Sequence, residues 1–387
     1  MRLAFIVPGG VDRSGEQRVI PVLLALVERL ARQHEVQVFA LAQEPQPDRW
    51  SLRGAEVHNV GSSHPRWRAW RALVRAHRRA PFDLIQAFWS SGPGTVAYLA
   101  ARTLGVPYVV HVAGGELAAL RDIGYGGRLT RRGALREALV LRGAAQVTAA
   151  SAPLLAALES LGVRAERLPL GVDLARWPAR PPRARHPGAI AQLVQVASLN
   201  RVKDQGTLLQ ALACLRRGGV RCHLHLIGED VLHGAVQRHA RELGLESCVT
   251  FHGFLPQTPL REQLCRCDLM LITSRHEAGP VCLLEAALCG VPAVGTAVGH
   301  LTEWAPAAAR TVAAGDAPGL AREVAAVLGS EPLRLELAAA AQARALREDA
   351  DESARRFEAL YARVAASRQA AARRAAPLAP RRHSRKR

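Results

Sequence analysis

The chain has 387 residues, 49% of them apolar, with 52 Lys and Arg against 33 Asp and Glu, for a formal net charge of +19. That length is too great for one ordinary core and implies two domains of roughly 150–200 residues each. No apolar run reaches the roughly 18–20 residues that cross a bilayer, and the charge favours anionic partners: phosphorylated substrates, acidic lipid or nucleic acid.

In chain order, "RLAFIVP" reads as a buried strand, too short for a signal-peptide core, so a cytoplasmic location is expected. The loop "GGVDRSG" leads into a helix over 16–34 whose apolar residues recur at helical spacing. "EVQVFAL" is a strand, and 65–79 is a basic amphipathic helix carrying Trp67 and Trp70. That helix is expected to bury its tryptophans, and contact with an anionic membrane is its functional alternative. "DLIQAFW", "PYVVHVAG" and "AAQVTAAS" are strands, with the helix "GTVAYLAARTLG" between the first two.

"PARPPRARHPG", 178–188, has no periodicity and reads as a linker. A second alternation of strands and helices follows, then helical segments at 316–329 and 333–365. The expected fold is α/β: two doubly wound parallel-sheet domains, 1–177 and 189–345, facing a central cleft. A C-terminal helix over 346–366 is expected to pack back on the first domain, and a basic tail over 367–387 to be disordered.

All seven cysteines lie in the second half, without zinc spacing, and read as reduced thiols. No metal is expected.

The stretch "SRHEAGPVCLLEAALCGVP", 274–292, places Glu277 in the loop after the strand "DLMLIT" and Glu285 on the helix that follows. Pro280 fits the first helical position, and Gly290 ends the helix. Loops at the carboxyl ends of parallel strands form the ligand crevice. A helix start there offers free N–H groups to a phosphate. Two carboxylates flanking an anion-binding helix end suit the hydroxyls of a nucleotide-sugar.

"EAGPVCLLE" followed by "AALCGVPAVGT" resembles the E-x7-E signature of glycosyltransferase family 4, retaining enzymes of the GT-B fold. "LPLGVDLARW", "VASLNRVKDQGTLLQAL" and "FHGFLPQTPLREQLCRCDLMLITS" resemble other segments of that family, in the right order. The resemblance implies a GT-B architecture and sugar transfer from a nucleotide-diphosphate sugar to a glycan or lipid-linked acceptor, in polysaccharide or envelope glycan synthesis. It implies no obligatory cofactor or metal. By the same resemblance Glu277 sits at the reacting centre, Glu285 holds the ribose, and Lys203 clamps the diphosphate. Ser198 stands where the family often has arginine, so Arg201 is assigned the guanidinium. His111 is assigned to face acceptor and sugar, Gly15 to open the helix beneath the diphosphate, and Gly279 to contact the donor.

Two other classes compete. A nucleotide-sugar epimerase on the same fold would need more acid and base groups around the sugar. A polyanion- or nucleic-acid-binding protein is motivated by the charge alone, and no nucleic-acid module appears.

Overall fold

The computed structural model describes residues 1–375, with side chains through residue 370. In chain order the first half comprises β1 (Arg2–Val7), α1 (Pro21–Leu30), β2 (Glu35–Ala40), β3 (Asp48–Leu52), β4 (Ala55–Asn59), α2 (Pro65–Arg79), β5 (Leu84–Phe88), α3 (Gly92–Leu104), β6 (Tyr108–Val112), α4 (Arg131–Gly143), β7 (Gln146–Ala149), α5 (Ala152–Ser160) and β8 (Ala165–Arg167). Its sheet has the order β3-β4-β2-β1-β5-β6-β7-β8. β5 and β6 are buried along their whole length, as strands covered by helices on both faces must be.

The second half comprises β9 (Ala191–Val196), α6 (Gln205–Arg217), β10 (Cys222–Ile227), α7 (Ala235–Glu242), β11 (Val249–Gly253), α8 (Gln257–Leu264), β12 (Leu269–Ile272), α9 (Val281–Leu288), β13 (Ala293–Thr296), α10 (Gly299–Trp304), β14 (Ala309–Val312), α11 (Ala317–Gly329), α12 (Glu331–Arg347) and α13 (Ala350–Ala375). Its six strands, ordered β11-β10-β9-β12-β13-β14, are all parallel. Two doubly wound α/β domains are therefore present, separated by a stretch without helix or strand between Arg167 and Ala191.

Several boundaries differ from the sequence reading. The first helix starts at Pro21 rather than at residue 16. Proline at the first helical position loses no hydrogen bond, whereas inside a helix it would break one. Gly15 therefore does not open that helix: it lies in the preceding loop at φ +67. The hairpin β3–β4 was not expected, and it pairs antiparallel at the sheet edge. Arg53 and Gly54, both at positive φ, make its two-residue turn.

The long C-terminal helical segment is two helices. Asp349 accepts the Glu352 amide at 2.8 Å and so caps the second. That helix, α13, lies on the first domain, where Phe357, Leu360 and Tyr361 join the core shared with β1, β2 and α1. It runs through Ala375, past the expected end at 366. The remainder of the expected tail, 376–387, lies outside the described residues. Trp67 is 56% exposed, against the expectation that α2 buries both tryptophans, and it stacks on Trp70 at 4.8 Å.

Candidate functional site

The loop 273–280 joins β12 to α9 and is fixed from below. Gln195 donates to the Thr273 hydroxyl at 2.9 Å, and that hydroxyl donates to the Lys203 carbonyl at 2.8 Å. The Arg275 amide donates to the Val202 carbonyl at 2.8 Å. These bonds tie the loop to the segment carrying Lys203. The Lys203 ammonium then meets Glu277 Oε1 at 2.5 Å, and the Ser274 hydroxyl donates to the same oxygen at 2.5 Å.

Burial alone would lower the Lys203 pKa, but the adjacent Glu277 carboxylate outweighs it and holds the ammonium above its ordinary value. Lys203 thus stays charged in a largely enclosed place, where a fixed cation acts most strongly on an anion.

Glu285 is buried on α9, and burial pushes its carboxyl up to about 7. It lines a small pocket with Pro21 and Val22 of the first domain, Asp173 and Trp177 of the connecting stretch, and Gln257 at the start of α8. The second carboxylate therefore sits at the domain seam. Cys282, one turn before it, is pushed up to about 12 by burial and also feels Glu277, Lys203 and Glu285. All three charged groups singled out in the sequence thus act on one thiol.

The helix start departs from expectation by one position. Pro280 is the N-cap, at φ −66 and ψ 112, and Val281 is the first helical residue. Gly290 follows the helix end at φ +72, as a terminating glycine does. Gly279 is required by packing: a Cβ there would lie 2.6 Å from His300 Nε2.

Two assigned residues stand outside this ion-paired cluster. Arg201 is exposed and lines a cavity of about 510 Å³ with Asn200, Asp204 and Arg275 of the second domain and Ile123 of the first. His111 is fully buried, its ring 5.7 Å from both Phe88 and Phe357, with Nδ1 paired to Thr148 Oγ1 at 2.9 Å. Strand alternation explains the outcome. Val110 and Val112 lie on the sheet face covered by α3, whereas His111 points to the opposite face, under α13. Burial lowers its pKa to about 3. Gly15 packs near Arg53 and Leu52, on the loop before α1.

The loop after β6 supplies groups the sequence reading passed over. Glu116 is buried, accepts the Ser90 and Ala113 amides at 3.3 Å each, and is pushed up to about 7 by burial. The Tyr125 phenol is raised first by burial and then by Glu277 and Glu116. His276 Nε2 pairs with the Gly114 carbonyl at 3.1 Å, and Arg275 forms an ion pair with Asp122. Residues 114–125 thus meet the Glu277 loop across the seam. Nothing periodic marks this segment; its two adjacent glycines, 114 and 115, were the one visible signal.

Residues 19–171 match the family described as the glycosyl transferase 4-like domain, and residues 191–330 match glycosyl transferases group 1. The putative glycosyltransferase EpsF of Bacillus subtilis is 28% identical over 254 residues, 62% of this chain and 63% of that protein. The putative colanic acid biosynthesis glycosyltransferase WcaL of Escherichia coli is 27% identical over 180 residues, 44% of each. The chain thus spans less than two thirds of either relative's length. Anabaena HepE, solved in complex with UDP-glucose, superposes with a TM-score of 0.72 at 20% identity, covering 94% of this chain and 99% of that one.

Proposed function

Both halves of the chain being glycosyltransferase domains in a GT-B arrangement, we propose that it is a retaining glycosyltransferase. It moves a sugar from a nucleotide-diphosphate sugar to a glycan or lipid-linked acceptor in polysaccharide or envelope glycan synthesis. The observation that carries this reading is the Lys203–Glu277 ion pair in the crevice loop of the second domain, facing residues 114–125 of the first. HepE's bound UDP-glucose supports the donor class, and the name of WcaL supports the pathway class.

In this reading the bond from the anomeric carbon to the diphosphate breaks, and negative charge grows on the leaving phosphate oxygens. Lys203 stabilises that charge as a cation already in place, so little reorganisation is needed at the moment of reaction. The first N–H groups of α9 add to the same field. Glu277 fixes the ammonium and accepts from the sugar's hydroxyls. Glu285, at the seam, accepts from the ribose. In a retaining transfer without a protein nucleophile, the leaving phosphate takes the acceptor's proton on the same face.

Incubation with a panel of nucleotide-sugars, followed by NMR of the released or transferred sugar, tests the proposal. Turnover of at least one donor with retained anomeric configuration is expected. Inverted product would refute the retaining mechanism. The absence of turnover with every donor, with and without glycan and lipid-phosphate acceptors, would refute the activity.

A further inference from the structure

A second concave site lies far from the seam, at the opposite end of the first sheet. The strand order puts β2, β1 and β5 between β4 and β6. Here the β3–β4 hairpin and helix α2 enclose a cavity of about 530 Å³. Arg68, Arg71 and Arg75 enter it from one face of α2, Arg49 from β3, and His58 forms part of its wall from β4. The spacing of 68, 71 and 75 explains the shared face, since residues three and four apart are neighbours on a helix.

Most of this positive charge is uncompensated by protein. Among the described residues no carboxylate lies within ion-pair distance of Arg68, Arg71 or Arg75. Arg49 reaches only Glu56, at 3.7 Å, and Asp48 at the rim is already paired with Arg13. Arg71 lies over the exposed Trp67 ring. Like charges gathered in a concavity repel one another unless an anion joins them, and a cavity wall of low dielectric focuses the field.

His58 forms the buried part of the cavity wall. It is 6% exposed and stacked on Phe39 at 4.9 Å, and its Nε2 is buried without a hydrogen bond, 3.4 Å from the Glu56 carboxylate. That nitrogen therefore faces the Glu56 carboxylate rather than the cavity, and the arginines alone present charge to a ligand there.

We propose that this cavity is a phosphoryl-binding site, separate from the donor site. Planar guanidinium forks match phosphate oxygens two at a time. The cavity lies within the usual range of about 300–1,000 Å³ for ligand sites, larger than a bare phosphate needs. The phosphoryl group is therefore carried on something larger, either an anionic lipid headgroup or a soluble phosphorylated glycan.

The test uses the full chain, with inorganic pyrophosphate and phosphatidylcholine vesicles, with or without phosphatidic acid, as probes. Calorimetry and vesicle co-sedimentation are run on wild type, Arg71→Ala/Arg75→Ala, and the control Arg78→Ala/Arg79→Ala, which removes equal charge from the same helix outside the cavity. The cavity double variant should weaken binding by about tenfold or more while the control stays within about twofold. Vesicle binding displaced by pyrophosphate assigns a lipid headgroup. Pyrophosphate binding without vesicle binding assigns a soluble ligand. Equal losses in the two double variants, or no binding of either probe, would overturn the site.

Discussion

Glu277→Gln isolates the charge of the ion pair while keeping its shape. The amide oxygen still accepts from Ser274, but the Lys203 ammonium faces a neutral group. Removing one partner of a fully buried pair costs about 3–5 kcal/mol. Here the Lys203 side chain is 25% exposed and Glu277 12%, so water screens part of the loss and about 1–3 kcal/mol is expected. At about 2–4 °C per kcal/mol for a domain of this size, the melting point should fall by several degrees with the fold intact. Turnover should fall further, by about 10²–10³, the scale for one preorganised electrostatic group. Scanning calorimetry with a donor-hydrolysis assay reads both. The double variant Glu277→Gln/Lys203→Met should be more stable than the sum of the two singles implies, because it leaves no orphaned charge. Additive stabilities, or turnover within twofold of wild type in Glu277→Gln, would refute the reasoning.

Three further outcomes rest on buried titratable groups. Burial would raise Glu303, but the His300 ring 3.8 Å away and hydrogen bonds from Arg167 and the Ala152 amide hold it at about 2. A depressed carboxyl contributes stability above pH 4.5 that is lost as pH falls toward 2, so Arg167→Ala should flatten acid unfolding in that window and lower the melting point at pH 7. Glu285, raised to about 7, imposes a penalty above pH 7 that vanishes below pH 4.5. Glu285→Gln should therefore gain up to about 3 kcal/mol at pH 8 by denaturant titration while losing nucleotide affinity. His111, with its folded pKa at about 3, withholds a proton that the unfolded chain binds below pH 6.5. His111→Phe should remove this contribution to the fall in stability between pH 6.5 and 3 and leave turnover within about twofold, contrary to its sequence assignment.

The strand–loop–helix around Glu277 was legible because three local signals agreed: an apolar run, a proline near the helix start and a glycine past its end. The assignment of Lys203 to the same site came from family resemblance, its ion pair with Glu277 was visible only in the fold, and the carbonyl of Lys203 bonded to Thr273 shows how the fold delivers it. The direction His111 faces was not legible, because it depends on strand parity and on α13, which arrives some 240 residues later in the chain. Arg201 was assigned because Ser198 stands where the family often has arginine, whereas the guanidinium touching the opposite domain is that of Arg275. Glu116 and Tyr125 escaped notice because an irregular loop carries no period, and only the fold shows that it abuts Glu277.

The most direct measurement is calorimetric titration of wild type, Lys203→Ala and Glu285→Gln with nucleoside diphosphates and their sugar esters. The account predicts that wild type binds at least one of them and that each substitution weakens this binding by about tenfold or more. Wild type binding none of them, or all three proteins binding equally, would contradict it.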